Sequence, residues 1–154
     1  MTINFTNSKI SSDEQILFKE NKFLKSLPTI LIDFFKKYSN SIPYYNSKSC
    51  AFKIIHPDGY VQVSYIEKIV ELEGIFSEFE DRDTLDLYVK EQNLTTDFVE
   101  IEYLCPFAYA PNGVFYCSIG GKHEGKVYFA DNGDFGILFV KNSFKEFWDS
   151  VQEG

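Results

Sequence analysis

The C-terminal part of the chain consists of apolar segments separated by short turns, and this pattern restricts the fold more than any other feature. Between Phe107 and Trp148 the sequence predicts three apolar strands, rich in aromatic and β-branched residues, and then a helix. Strands joined by such short loops are antiparallel, because a parallel crossover needs about a dozen residues or more. The chain is therefore predicted to be α+β, with helices packed on an antiparallel, mostly meander sheet of about five to six strands. The turn residues are Asn112-Gly113, Gly120-Gly121 with Gly125, and Asn132-Gly133.

Helices are predicted near the N-terminus, in the middle and at the C-terminus of the chain. An N-cap in Ser11-Ser12-Asp13-Glu14-Gln15, followed three residues later by glutamate or glutamine, predicts a helix over residues 13 to 25. A second helix starts at Pro28, since the amide that proline lacks has no intrahelical partner in the first turn. The middle helix covers residues 83 to 92. Ser143 and Glu146 predict a capping box for the last helix, whose apolar face is Phe144, Phe147, Trp148 and Val151.

The intervening segments are predicted to be extended or irregular. Residues 39–49 are predicted to form a loop, and residues 50–55 and 60–70 to form a hairpin about the His56-Pro57-Asp58-Gly59 turn. Gly74-Ile75-Phe76 is interpreted as a short strand or a bend. The alternation of apolar and acidic residues from position 97 to 103 favours an extended segment, with a short helix as the alternative.

Length and composition indicate one cytoplasmic domain spanning residues 1–154. A chain of 154 residues with 44% hydrophobic residues is long enough to bury a core. Its three cysteines are an odd number, and the segment from Met1 to Ile10 lacks an apolar signal region, which favours a reducing compartment. No apolar run approaches the roughly 18 to 20 residues of a membrane span, so no membrane association is expected.

The negative charge of the chain is concentrated in its middle. Twelve acidic and only three basic residues lie between Glu67 and Glu102, whereas the whole chain has a net charge of −8. A field of this sign repels phosphate backbones and attracts basic surfaces, which argues against nucleic acid as a partner. The charged group named here the acidic tract comprises Glu71, Glu73, Glu78, Glu80, Asp81, Asp83 and Asp86.

The acidic tract has three interpretations. A charge run is most often a solvated surface. With the neighbouring Phe76 and Phe79, it could instead form a partner-binding face, in which aromatic rings supply contact area and carboxylates steer a basic partner. Calcium binding is the third alternative, although the EF-hand register and its glycine are missing.

The sequence shows no catalytic or metal-binding constellation. His56 and His123 lie in predicted turns without zinc-ligand spacing, and we expect both to be exposed turn histidines. Cys50, Cys105 and Cys117 lie in or beside predicted strands, where a thiol is more often a core residue than a nucleophile. We therefore expect a protein that is not an enzyme and needs neither metal nor cofactor.

The order of several motifs resembles the SUKH (Smi/Knr-type) superfamily. A strand ending in Ala-Tyr-Ala, a Pro-Asn-Gly turn, the strand 114–119, Lys126-Val127-Tyr128-Phe129 and the Ser143-Phe144-x-x-Phe147 helix are similar to its C-terminal half. The segment from Leu27-Pro28 to Tyr38, with Phe34 and Phe35, resembles its early helix. The chain has Asn40-Ser41 where the family typically shows Gly-Gly, and Asp131-Asn132 where it shows Asp-His.

This resemblance implies a function that composition alone does not. Many members of the superfamily are immunity proteins that bind and neutralise a bacterial toxin, frequently a nuclease. The resemblance therefore implies that the partner is a cognate toxin, and the charge distribution predicts that this toxin has a basic surface, bound through the acidic tract with Phe76 and Phe79. A regulatory or scaffold module of the same fold, which binds a protein other than a toxin, is the alternative. The sequence leaves the oligomeric state open.

Overall fold

The computed structural model describes residues 3–6, 10–133 and 135–153, and it confirms the α+β class. The helices are α1 (Ser12–Glu20), α2 (Lys22–Ser26), α3 (Thr29–Tyr38), α4 (Leu72–Glu80), α5 (Asp83–Gln92) and α6 (Phe144–Asp149). The strands are β1 (Asn4–Phe5), β2 (Pro43–Tyr45), β3 (Lys48–Ile55), β4 (Val61–Ile66), β5 (Lys68–Ile69), β6 (Leu104–Ala110), β7 (Gly113–Ser118), β8 (Val127–Asp131), β9 (Gly136–Lys141) and β10 (Gln152–Glu153).

The strands form two antiparallel sheets. In the first sheet the order is β1-β2-β3-β10, and β4 also pairs with β3. The second sheet has the order β5-β6-β7-β8-β9, in which β6 to β9 form the antiparallel meander, with four strands where the sequence predicted three. Each neighbouring pair in this meander is antiparallel, as the short turns require.

The C-terminal helix α6 joins the two sheets through the main hydrophobic core. Phe147 is fully buried, and its ring stacks on Phe52 of β3 with 4.7 Å between ring centroids. The same ring lies 5.0 Å from Phe115 in β7 and 5.1 Å from Phe107 in β6. The Ser143 hydroxyl accepts the Glu146 amide at 3.1 Å, which begins the helix at the predicted cap.

The opposite face of the second sheet is covered as well. A smaller core cluster forms around Tyr116 and Tyr128, with Leu85 of α5 and Val99 of the following segment packed on it. Because helices or connecting segments cover both faces, β6, β7 and β8 are buried along almost their whole length. This explains why their sequences are continuously apolar rather than alternating.

The structure corrects the predicted bounds of several elements. The first helix is interrupted at Asn21, whose side chain accepts the Leu24 amide at 3.0 Å and thereby caps a separate helix α2. The predicted loop over residues 39–49 contains β2 and the beginning of β3, despite the proline that opens β2. Proline is compatible with a short strand of this kind because it is tolerated at a first strand position.

Two other interpretations are resolved by tertiary contacts. Gly74-Ile75-Phe76 is not a strand or a bend but lies within α4. A Cβ atom at Gly74 would collide with the Tyr109 hydroxyl and the Val70 side chain, so the glycine allows α4 to approach β6 closely. For residues 97–103 the structure shows turns and a 3₁₀ helix at Ile101–Tyr103, which favours the helical alternative.

Candidate partner-binding surface

The acidic tract lies on α4, on α5 and at their flanks. Leu72 and Ile75 anchor α4 in the core, and Leu85 anchors α5 against the second sheet. The Asp81 carboxylate accepts the Asp83 amide at 3.0 Å, at the junction between the two helices. Acidic residues in the first turn of each helix also interact favourably with the positive end of the helix dipole.

The structure divides the acidic tract into exposed and internally bonded carboxylates. The side chains of Glu73, Glu80, Asp81, Asp83 and Asp86 are exposed. Among the residues that the structure describes, Glu73, Glu80, Asp83 and Asp86 make no side-chain hydrogen bond or ion pair. These four, here called the exposed carboxylates, are therefore available to a partner from outside.

The other carboxylates of the tract already have internal partners. Glu71 forms an ion pair with Lys68 at 3.1 Å. Glu78 accepts a hydrogen bond from the Tyr116 hydroxyl at 2.7 Å. Burial raises the pKa of Tyr116 well above its usual value, and the nearby Glu78 carboxylate adds a smaller effect in the same direction. Burial also raises the pKa of Tyr109 to about 12, and the negative charges of Glu71 and Glu78 add to this effect.

Arg82 lies between the two helices and is turned inward. Its Nη2 donates to the Leu104 carbonyl oxygen at 2.7 Å, and its guanidinium carbon lies 4.0 Å from the centroid of the Phe79 ring. Burial lowers the pKa of Arg82, while the neighbouring Tyr116 and Glu78 oppose that shift. Among the described residues Arg82 forms no ion pair with an exposed carboxylate, but the nearby Asp86 also opposes the shift in its pKa, so Arg82 offsets part of the charge of that carboxylate.

The two aromatic residues of the predicted site are only partly accessible. Phe76 and Phe79 are half-buried and pack against the main core. Their ring centroids lie 6.2 and 4.7 Å from that of Phe23 in α2. A partner can therefore contact their outer parts, but these rings also hold α4 against the N-terminal helices.

A groove next to α4 brings in acidic residues that sequence reasoning missed. It has a volume of about 490 Å³ and lies between the N-terminal ends of α1 and α4. Its lining includes Asp13 and Glu14 from α1 beside Glu73 and Phe76 from α4. Asp13 and Glu14 are recognisable in the sequence only as helix-starting residues, because no local pattern relates them to a helix some sixty positions later.

The prediction that both histidines are exposed is wrong. His56 is 6% exposed and His123 is 7% exposed. The ring of His56 lies 4.3 Å from that of Phe135, and its Nε2 is 2.8 Å from the Gln62 Oε1. The Nε2 of His123 is 2.8 Å from the Thr96 carbonyl oxygen. Contacts with distant segments, Phe135 for His56 and Thr96 for His123, bury the two side chains while the rest of each turn stays exposed, so the local sequence carried no signal of this burial.

The cysteine side chains are all buried free thiols. Burial raises the pKa of Cys50 to about 11 and that of Cys117 to about 12, and it shifts the pKa of Cys105 in the same direction. A buried thiol with a raised pKa is a poor nucleophile near neutral pH, since the thiolate is the reactive form.

Two further findings concern the described residues as a whole. No group of three or more His, Cys, Asp or Glu side chains among them is arranged to hold a metal ion. In the same part of the chain, no helix has the length and apolar character needed to cross a membrane.

Comparison with known proteins identifies the family of this chain. Searches of curated proteins and of solved structures gave no match. The model of the SMI1 / KNR4 family (SUKH-1) matches residues 11–150, from the cap of α1 to the end of α6. Because this match covers most of the chain and includes the predicted motifs, the protein belongs to the SMI1 / KNR4 family (SUKH-1).

Proposed function

We propose that this protein is an immunity protein that binds a cognate bacterial toxin and neutralises it by protein–protein contact. Membership of the family is consistent with a binding module of this type. In this proposal the toxin carries a basic surface, as a nuclease does where it holds its phosphate substrate. The protein itself performs no bond chemistry and requires no cofactor.

The observation that carries this proposal is the set of exposed carboxylates on α4 and α5. Four exposed carboxylates on consecutive helices, none of which makes a side-chain hydrogen bond or ion pair among the described residues, produce a local negative field that Arg82 offsets only at Asp86. Such a field accelerates encounter with a basic partner and disfavours acidic ones. The groove lined by Asp13 and Glu14 extends the same charge towards α1.

The charge and the contact area have different roles in this proposal. Carboxylates at the rim of an interface contribute mainly to association rate, whereas buried anchors contribute most of the binding energy. The outer parts of Phe76 and Phe79 offer apolar area next to the carboxylates. Partner residues with a basic head and an aliphatic stem, such as arginine, would match both features.

A charge-reversal variant tests the proposed surface. Glu73, Glu80, Asp83 and Asp86 are replaced together by lysine, while Glu78 and Asp81 are retained because their carboxylates hold Tyr116 and the start of α5. The variant and the wild-type protein are each co-expressed with the product of the adjacent gene, which this proposal expects to be the toxin, and growth is scored. Rescue should be lost, and the association rate at low salt should fall at least about tenfold. The difference should shrink at high salt, since screening shortens the range of the field.

A matched control distinguishes an effect of the acidic surface from an effect of the total charge. Replacing Glu20, Glu67, Glu102 and Glu124 by lysine changes the net charge by the same amount at exposed positions outside the acidic tract. This control should protect and bind almost as well as the wild type. If the tract variant bound and protected as well as the control, the proposed surface would be wrong. Binding to a cellular protein instead of a toxin would favour the regulatory or scaffold alternative.

A further inference from the structure

A pocket opens between the corner of α4 and α5 and the second sheet, and is called here the α4–α5 pocket. It has a volume of about 400 Å³, within the range of pockets that enclose a ligand group. Its lining includes Val114 and Ala130, which are directly opposed on β7 and β8. These side chains are small, whereas the next pair on the same face is Tyr116 and Tyr128. The sheet therefore leaves a gap between itself and the helices.

The polar groups of the α4–α5 pocket retain capacity to accept hydrogen bonds. Its lining includes two carboxylates, those of Glu78 and Asp81. Glu78 accepts the Tyr116 hydroxyl, and Asp81 accepts the Asp83 amide. A carboxylate has about four lone-pair sites, so both keep free sites for a ligand. Tyr88 lines the pocket as well, and its hydroxyl has no hydrogen-bond partner among the described residues.

The lining of the α4–α5 pocket is negatively charged. No lysine or arginine occurs among the described residues that line it. Arg82 is adjacent in sequence, but its guanidinium donates to the Leu104 carbonyl oxygen and lies over the Phe79 ring, and both of these residues are outside the lining. The charge of Arg82 reaches Glu78 and offsets part of that carboxylate. Asp81 forms no ion pair among the described residues, so the pocket favours a cationic group.

Arginine matches both the shape and the charge of this pocket. Its guanidinium is planar, carries five hydrogen-bond donors and stacks on aromatic rings such as those of Tyr88 and Tyr116. Its aliphatic stem can pack against apolar lining residues such as Leu85. Lysine offers three donors on a compact ammonium group that does not stack in this way. The protein already holds one arginine in this manner, since the guanidinium carbon of Arg82 lies 4.0 Å from the centroid of the Phe79 ring.

We propose that the α4–α5 pocket receives an arginine side chain of the partner protein. This inference rests on the proposed function, and it goes further because it identifies the residue type of the partner and the place where that residue is held. The guanidinium hydrogen-bonds to Glu78 and Asp81, while the exposed carboxylates around the pocket steer the partner. Arginine is one of the residue types that dominate binding energy at interfaces, where such anchors fill pockets of the other protein.

Blocked amino acids test the pocket without the partner. N-acetyl-arginine-N-methylamide is titrated into the isotope-labelled protein, and amide chemical shifts are followed by NMR. Saturable shifts are expected at Thr84, Tyr88 and Asn132, with a dissociation constant of about 1–20 mM, because one side chain supplies only part of an interface. The uncharged citrulline analogue should bind at least about tenfold more weakly. Equal binding of the citrulline or lysine analogue, or no saturation below about 100 mM, would overturn the proposal.

A pocket-filling variant with unchanged net charge provides the second measurement. Thr84 is exposed, lies in the first turn of α5 and lines the pocket. Thr84→Phe should raise the dissociation constant for blocked arginine at least about tenfold, because the ring occupies the cavity. The matched control is Thr29→Phe, at an exposed threonine in the first turn of α3 outside the pocket, and it should leave the constant unchanged. Circular dichroism establishes that both variants are folded. Equal affinity of the two variants would contradict the proposed site.

Kinetics with the product of the adjacent gene separate this inference from the proposed function. Thr84→Phe should increase the dissociation rate at least about tenfold with little change in the association rate, whereas the charge-reversal variant of the acidic tract should mainly slow association. If only the charge-reversal variant loses binding and protection, the pocket proposal is wrong and the proposed function stands. If blocked arginine binds the pocket but the gene product is not bound, the proposed function is wrong although the pocket is an arginine site.

Discussion

Asp131 shows, at the scale of a single residue, how polar side chains connect the two sheets. Its carboxylate is 3% exposed and accepts hydrogen bonds from the Gln62 side chain at 2.8 Å, from Asn112 at 3.2 Å and from the Gly133 amide at 2.6 Å. Because Gln62 donates its amide to Asp131, its carbonyl oxygen is free to accept the Nε2 proton of His56. The buried charge is thus compensated by neutral donors from three segments.

Removing this carboxylate should be costly. Asp131→Ala leaves the Gln62 and Asn112 side chains and the Gly133 amide without their acceptor, so the free energy of unfolding should fall by about 2–4 kcal/mol. Asp86→Ala, at an exposed carboxylate, should change it by less than about 0.5 kcal/mol. Urea denaturation, monitored by tryptophan fluorescence, measures the change in the free energy of unfolding for both variants. Equal stability of the two variants would contradict the role assigned to the network.

At the scale of an element, α6 was predicted correctly, but the relative burial of its residues depends on the whole fold. Sequence periodicity placed Phe144, Phe147, Trp148 and Val151 on one apolar face, and the structure packs all four against the core. Phe147 is completely enclosed between the sheets, whereas Trp148 is half-buried among aromatic rings near the surface. A helical pattern identifies the buried face but not the depth to which each side chain enters the core.

This difference predicts an order of stabilities within α6. Phe147→Ala should lower the free energy of unfolding by about 3–5 kcal/mol, because it leaves a cavity that the surrounding rings cannot fill. Trp148→Ala should cost less, since part of its ring is already in contact with water. Chemical denaturation followed by circular dichroism suits both variants, including the one without tryptophan. A larger loss for Trp148→Ala would show that the burial of α6 is different from that described.

At the scale of the whole molecule, the buried tyrosines link folding to alkaline pH. Burial raises the pKa of Tyr128 to about 12, and the hydroxyl donates to the Phe98 carbonyl oxygen at 2.7 Å. Tyr109 has a similarly raised pKa of about 12. A folded-state pKa above the unfolded value near 10 means that the folded protein binds the phenolic proton more tightly than the unfolded chain.

The stability that these two tyrosines contribute should therefore be complete below about pH 10 and decrease as the pH rises from about 10 to 12. Urea unfolding at a series of pH values in this range measures the decrease. Tyr128→Phe removes one titrating group, so its stability should depend less steeply on pH than that of the wild type, although the variant also loses the hydrogen bond to Phe98. An unchanged slope would show that Tyr128 does not titrate with a raised pKa in the folded protein.

The amino-acid sequence by itself determined the features that depend on local chemistry. Turn residues established the antiparallel meander, capping residues established the start of α1 and α6, and the motif order indicated the family. It also located the negative charge in the segment that became α4 and α5. These features depend on residues close together in the chain, where spacing and side-chain chemistry are directly readable.

Only the tertiary structure decided which groups remain available at the surface. It divided the strands between two sheets and buried both histidines. It also paired Glu71 and Glu78 with internal partners, Lys68 and Tyr116, and brought Asp13 beside Glu73. Each of these outcomes depends on contacts between distant segments, and the free energy of packing the whole chain, rather than local propensity, selects them.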